Sequence, residues 1–153
     1  MDPFTSAVVV LAVVALAVVI GVVSRARSGR AHAVSARPTG AKTGGFAELG
    51  LSADDPRGST ATLVLYSTEF CAQCPAARRV LADIASSRES VSTVDVDLTH
   101  RPDLARRLRI LQTPTVFIVD SAGVPISRMG GALRRDAVTS ELDRWETSDV
   151  VQS

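Results

Sequence analysis

The chain has 153 residues, with 17 Lys and Arg against 16 Asp and Glu, enough for one domain and an appendage. So even a balance leaves no electrostatic footprint for nucleic acid. Aromatic residues make up only 4 %, so a core has to be built from Val, Leu, Ile and Ala.

The balance conceals an asymmetry: apolar residues gather at the start and basic ones follow directly. Ala7 to Val23 is an unbroken apolar run of 17 residues, and Phe4 to Ser24 extends it to 21 with only Thr5 and two serines polar. At about 1.5 Å per residue these lengths span roughly 26–32 Å, the thickness of a bilayer's hydrocarbon core. Residues 1–24 are therefore predicted to form a transmembrane anchor, with 4–24 in the lipid bilayer. A cleaved signal peptide is the other reading. It needs a basic segment first, and Met1-Asp2-Pro3 has none; Arg25, Arg27 and Arg30 also separate the apolar run from the cleavage-like Ala31-His32-Ala33. Between Ser24 and Ala47 stand five basic residues (Arg25, Arg27, Arg30, Arg37, Lys42) and no acidic one. The positive-inside rule then puts the domain in the cytoplasm, the extracytoplasmic side being the alternative. The same charges either rest on anionic lipid, at about 1 kcal/mol each, or stay solvated.

Residues 25–45, rich in Ala, Ser, Gly, Arg and Thr, read as a flexible basic linker with a reach of roughly 25 Å. The domain is expected over 46–153. Phe46 to Leu51 reads as a short helix or turn, and Asp54-Asp55-Pro56-Arg57-Gly58 as a loop. Thr62 to Tyr66 is a buried-strand run. Ala76 to Ala85 follows as a helix, with Ala77, Val80, Leu81 and Ile84 on one apolar face at i, i+3, i+4 and i+7. Val91 to Asp97 alternates as a strand does, and Arg101 to Leu108 is a short helix with Pro102 in its first turn. Thr115 to Asp120 and Val124 to Met129 form a hairpin across Ser121-Ala122-Gly123, with Pro125 suited to a sheet edge. Gly130-Gly131 ends it, Leu133 to about Trp145 is the last helix, and the tail from Glu146 is expected to fray. The order implies an α/β fold: a small mixed sheet covered by helices on both faces.

Cys71 and Cys74, the only cysteines, stand in Phe70-Cys71-Ala72-Gln73-Cys74-Pro75, where the first strand gives way to the first helix. A cysteine at a helix N-terminus sees unpaired N–H groups and the positive end of the macrodipole, and both favour the nucleophilic thiolate. The second cysteine, three residues on, is placed to attack a mixed disulfide formed on the first. Three other readings compete. Inert core cysteines are rarely spaced so closely at such a junction. Zinc takes four ligands, and His32 and His100 are out of ligand spacing. A structural disulfide closing so short a loop stabilises little. Redox use is the favoured reading.

With these pieces in view, residues 60 to 146 resemble the thioredoxin family. The resemblance rests on Leu63 to Leu81 around the Cys-x-x-Cys, Thr113-Pro114-Thr115 before an apolar strand, and Gly130-Gly131-Ala132-Leu133 before the last helix. It implies a thioredoxin-like fold, behind the N-terminal transmembrane helix, with Cys71 as nucleophile and Cys74 as resolving cysteine. It also implies a substrate-binding surface of Phe70, Thr113, Pro114 and Gly131, and no metal or organic cofactor. Pro114 maps to the family's cis loop proline, which leaves the Thr113 backbone open to pair with a substrate segment; a trans proline opening a strand is the plainer reading. Gly131 either lets substrate backbone approach or simply ends a strand.

The departures are specific. Phe70 replaces the usual Trp, and Ala72-Gln73 replaces Gly-Pro, so the redox potential does not carry over. Leu65 stands where many thioredoxins have a buried Asp that serves the resolving thiol. Deprotonation of Cys74 is then left to water, to Glu69 (otherwise a solvated loop residue) or to the departing Cys71 thiolate. Pro75 removes a donor that would bond back to the Cys71 carbonyl and is expected to loosen the first helical turn. The expected function is a membrane-tethered thiol–disulfide oxidoreductase. It reduces protein disulfides with electrons from an unidentified donor, reduction being the direction a cytoplasmic compartment favours. The alternative is an anchored interaction module, its cysteines idle or binding a soft metal such as Cu(I).

Overall fold

The structure, a computed structural model, describes the backbone at 3–27, 32–33 and 45–152, and side chains over 8–23 and 45–147. Helix α1 (Pro3–Arg27) is followed by strand β1 (His32–Ala33), a 3-10 turn at Phe46–Leu49, β2 (Ala61–Ser67), α2 (Cys74–Ser86), β3 (Val91–Asp97), α3 (Pro102–Arg107), β4 (Thr115–Asp120), β5 (Pro125–Gly130) and α4 (Arg135–Gln152). Over 8–23 the apolar side chains of α1 are exposed all round. Among the described residues no helix is long and apolar enough to cross a membrane, so the expected transmembrane helix gains no support here. The described side chains of α1 cover about 24 Å, against about 30 Å of hydrocarbon. The side chains of Arg25, Arg27, Arg30, Arg37 and Lys42 lie outside the described residues.

β2 organises the rest. Every one of its seven residues is buried, because it lies inside the sheet and is covered on both faces. It pairs parallel with β3 and antiparallel with β4, which pairs antiparallel with β5, giving the order β1-β5-β4-β2-β3. On one face Leu63, Leu65, Val116, Ile118 and Met129 pack under Ala77, Leu81 and Ile84 of α2 and Val138 and Leu142 of α4. On the other, Val64, Tyr66, Val94, Val96, Phe117 and Val119 meet Phe46, Leu49, Leu51 and Leu104. The expected mixed sheet with helices on both faces is what forms.

Some details differ from the sequence reading. Helix α4 starts at Arg135, after Leu133, and continues to Gln152 where a frayed tail was expected; no Gly or Pro lies between to stop it. Within the stretch read as a linker, His32–Ala33 pairs antiparallel with Arg128 and Ser127 of β5, a strand edge whose backbone groups otherwise lack partners. Pro125 sits beyond that short pairing, opposite Val119 at a register shift, a position that tolerates a residue without an N–H.

Tyr66, the chain's one tyrosine, anchors the 3-10 turn to the sheet. Its buried hydroxyl donates to the Leu49 carbonyl at 2.9 Å, and its ring meets Phe117 edge-on at 5.0 Å between centroids. Burial pushes its phenol far above the ordinary value, with Arg101, Arg128 and Arg107 pulling it partly back. The unfolded chain releases this proton near about pH 10 while the folded chain keeps it. The stabilising effect is therefore complete below about pH 10 and lost as pH rises beyond it. Phenolate absorbance is expected to appear only together with unfolding as the pH is raised. Tyr66→Phe should remove that dependence and cost about 1 kcal/mol in denaturant titration, because the Leu49 carbonyl is left unpaired. Phenolate formation in the still-folded protein near about pH 10 would contradict this.

Candidate active site

Sheet topology brings separate segments to one end of the molecule. Because β4 runs antiparallel to β2, Thr115 at its start lies opposite Tyr66 near the end of β2. Gly130 at the end of β5 lies on the other side of Thr115. The loops that leave β2, enter β4 and leave β5 therefore converge.

Cys71 and Cys74 are joined by a disulfide, with their Cα atoms 5.4 Å apart. They are unequal. Cys71 is half-buried in the turn before α2, whereas Cys74, the first residue of the helix, is 1 % exposed and packed in the core. No acidic residue stands in the first turn of α2 to offset the positive end of its dipole. Pro75 does not loosen that turn. It falls among the first helical positions, where an N–H has no helical partner in any case. The Cys74 N–H donates to the Cys71 carbonyl at 3.2 Å, and the Ala77 N–H to Gln73 at 3.1 Å, so the turn stays closed.

Short contacts tie the predicted residues to the disulfide. The Cys71 N–H donates to the Thr68 carbonyl at 3.2 Å, and the Thr68 hydroxyl lies 3.2 Å from that of Thr113. The Thr113–Pro114 peptide bond is cis. The Pro114 carbonyl in turn accepts from the Gly131 N–H at 2.9 Å. Gly131 has φ of 85°, in the left-handed region that favours glycine, which accounts for that residue as β5 ends. Pro114 is buried and Thr113 half-buried. Phe70, by contrast, is 88 % exposed, and so is Leu111, at 93 %, on the loop that leads to Thr113. Leu111 was not singled out in the sequence, where one apolar residue outside a strand or helix has no periodic signature.

Leu65 is buried in the core, as its place in β2 requires. Glu69 is exposed, its N–H donating to Thr99 Oγ1 at 3.0 Å, so the solvated-loop reading fits it. The sequence reading also passed over a polar cluster beside the helix. Buried Ser67 donates to Asp95 Oδ1 at 2.6 Å, and Arg78 of α2 bonds both Asp95 and the Ser67 hydroxyl. Among the described residues no group of three or more His, Cys, Asp and Glu is arranged to hold a metal ion.

Comparison with known proteins gives the same frame. A family model described as thioredoxin matches residues 55–144. The chain is similar to a solved chloroplastic thioredoxin z, with 26 % identity, a TM-score of 0.51, and cover of 58 % of this chain and 80 % of that one. It is also similar in fold to thioredoxin-2 of the malaria parasite, with 14 % identity, a TM-score of 0.51, and cover of 59 % and 97 %. No curated protein matches the chain.

The unequal burial sets an order of reactivity. In the reduced protein a limiting amount of iodoacetamide is expected to modify Cys71 before Cys74, by about tenfold or more, since both thiolate character and access favour the first. Peptide mass spectrometry after partial labelling reads the ratio. Equal labelling, or Cys74 first, would overturn the assignment of Cys71 as nucleophile.

Proposed function

This chain belongs to the thioredoxin family, and from that premise we propose that it is a membrane-tethered oxidoreductase that reduces protein disulfides through Cys71 and Cys74. Thiol–disulfide oxidoreductase chemistry in general follows from the family and the paired cysteines. The observation that carries the reading is the disulfide between a half-buried Cys71 and a core-buried Cys74 at the open end of α2. In the reduced protein the Cys71 thiolate attacks one sulfur of the substrate disulfide. That S–S bond breaks, one substrate sulfur leaves and takes a proton, and a mixed disulfide to Cys71 remains. Cys74, deprotonated, then attacks Cys71 Sγ. The mixed disulfide breaks, the Cys71–Cys74 bond forms, and the second substrate sulfur leaves as a thiol. The substrate gains two electrons and the protein loses two; a dithiol donor restores them.

The substrate surface of this reading is the rim around the disulfide. Thr113, Pro114 and Gly131 offer backbone, and Phe70 and Leu111 offer exposed apolar area to an extended segment. The tether rests on the apolar sequence of 4–24 and on the all-round exposure of apolar side chains at 8–23. A helix apolar on every side finds its partner in lipid or in a large core. The basic residues after it orient the domain to the cytoplasm, where the reducing poise sets the direction of electron flow.

The full chain, reconstituted in vesicles and supplied with a dithiol, is expected to reduce a model protein disulfide. Cys71→Ser should lower the rate by 10³-fold or more, on the order expected for loss of a nucleophile. Cys74→Ser should accumulate a mixed disulfide, visible as a mass adduct on Cys71. A parent without turnover whose variants bind partners normally would establish a binding module instead. In intact cells, a membrane-impermeant maleimide is expected to leave Cys71 unlabelled until the membrane is opened. Labelling from outside would reverse the orientation, and with it the direction of electron flow.

A further inference from the structure

Where the chain enters β1 decides which end of the domain the N-terminal helix can reach. Strand β1 runs antiparallel to β5, with His32 opposite Arg128 and Ala33 opposite Ser127. The chain therefore arrives at His32 from the side of Gly130 and leaves toward Ile126. Gly130 ends β5 beside Thr115, and the N–H of the next residue, Gly131, bonds the Pro114 carbonyl. The N-terminal segment thus joins the sheet at the end that holds the disulfide. Two residues of strand, about 7 Å, separate Arg128 from Gly130. Across the sheet, three strand spacings, roughly 14 Å, separate β1 from β2, whose end leads to Cys71.

The distance back to α1 is bounded by covalent geometry alone. Helix α1 ends at Arg27 and His32 follows five positions later, so no more than roughly 18 Å separates them. As a free linker, residues 25–45 would let the domain take any orientation on a reach of roughly 25 Å. Pairing at β1 shortens the tether to the residues between Arg27 and His32. A domain of about 100 residues is roughly 33 Å across. A leash of this length, attached at the active end, keeps that end toward the anchor. Two exposed apolar side chains belong to its loops: Phe70, next to Cys71, and Leu111, two residues before Thr113.

Resting on the tether and chemistry of the proposed function, we propose that the disulfide end of the domain faces the bilayer. Its substrate is then a disulfide of a membrane protein, carried on a segment at the bilayer surface. In that reading Arg25 and Arg27, directly after the apolar run, stand at headgroup level. Strand β1 then begins within roughly 18 Å of the headgroups. An extended segment emerging from the same bilayer fits such a gap and can pair with the Thr113 backbone. A folded soluble protein of about 100 residues, roughly 33 Å across, does not fit. Apolar Phe70 and Leu111 suit that surrounding better than bulk water. The exchange is the one already described: the substrate S–S bond breaks and takes up two electrons as the Cys71–Cys74 bond forms. A dithiol donor then reduces that bond again.

Two measurements on the full chain in vesicles test placement and substrate separately. For placement, Cys71 of the Cys74→Ser variant is labelled with bimane, and its quenching by spin-labelled headgroups is compared with that of Trp145. Trp145, the only tryptophan, lines a cavity with Ile126 near the start of β5, the end away from Gly130. The Cys71 probe should be quenched more strongly than Trp145. A flexible Gly/Ser insertion of about 20 residues after Ser28 should abolish the difference. For substrate, one cystine segment is offered either beside a membrane-spanning helix or within a soluble folded protein. The parent should reduce the membrane-borne cystine faster, by about tenfold or more. The insertion should speed reduction of the soluble one, an increase that a folding defect does not give. Equal quenching in protein that floats with the vesicles, or equal rates, overturns the inference and leaves the tether standing. Protein that fails to float overturns tether and inference together. A quenched Cys71 with neither cystine reduced refutes the oxidoreductase reading and the substrate assigned here, but not the placement.

Discussion

The burial of β2 on both faces is the constraint on which the rest depends. A strand with no solvent-facing side has to be apolar throughout, so Leu63, Val64, Leu65 and Tyr66 are all committed to packing. Chemistry has to begin where the strand ends. The parallel partner β3 and the antiparallel partner β4 then decide what stands beside that end: a carboxylate from one and a proline loop from the other. The active end is a consequence of strand directions as much as of the residues at it.

The same burial separates the two cysteines in character. One lies in a turn with partial access to water, the other is buried as the first residue of α2. Access and the helix dipole are what favour thiolate character at the first. Burial protects the second from outside reagents and leaves it within reach of its neighbour. The exposed Phe70 and Leu111 are unfavourable in an isolated domain, where nothing covers them.

Much of this was legible along the chain. The helical spacing of Ala77, Leu81 and Ile84 and the apolar runs at β2 and β4 are periodic signals, set by burial on one face or two, and they fell where expected. The cysteine pair was legible because its spacing and its strand-to-helix setting coincide. Pro114 and Gly131 were found through their company in the sequence, and a chain of short hydrogen bonds joins both to Cys71 through Thr68. The stop of α4 was misjudged because no residue between Arg135 and Gln152 breaks a helix, and polarity alone does not.

Local pattern by itself determined the order of strands and helices, the place of the cysteine pair and the apolar character of the first two dozen residues, since each of these depends on near neighbours. The tertiary structure decided that Asp95, read in the sequence as one polar position of an alternating strand, stands in register with Leu65 and reaches both Ser67 and Arg78. It also decided that Leu111 is exposed on the loop that leads to Thr113. The physical reason is that a parallel crossover sets residues thirty apart side by side, in a register fixed by packing of the intervening helix. No periodicity in the chain records that pairing.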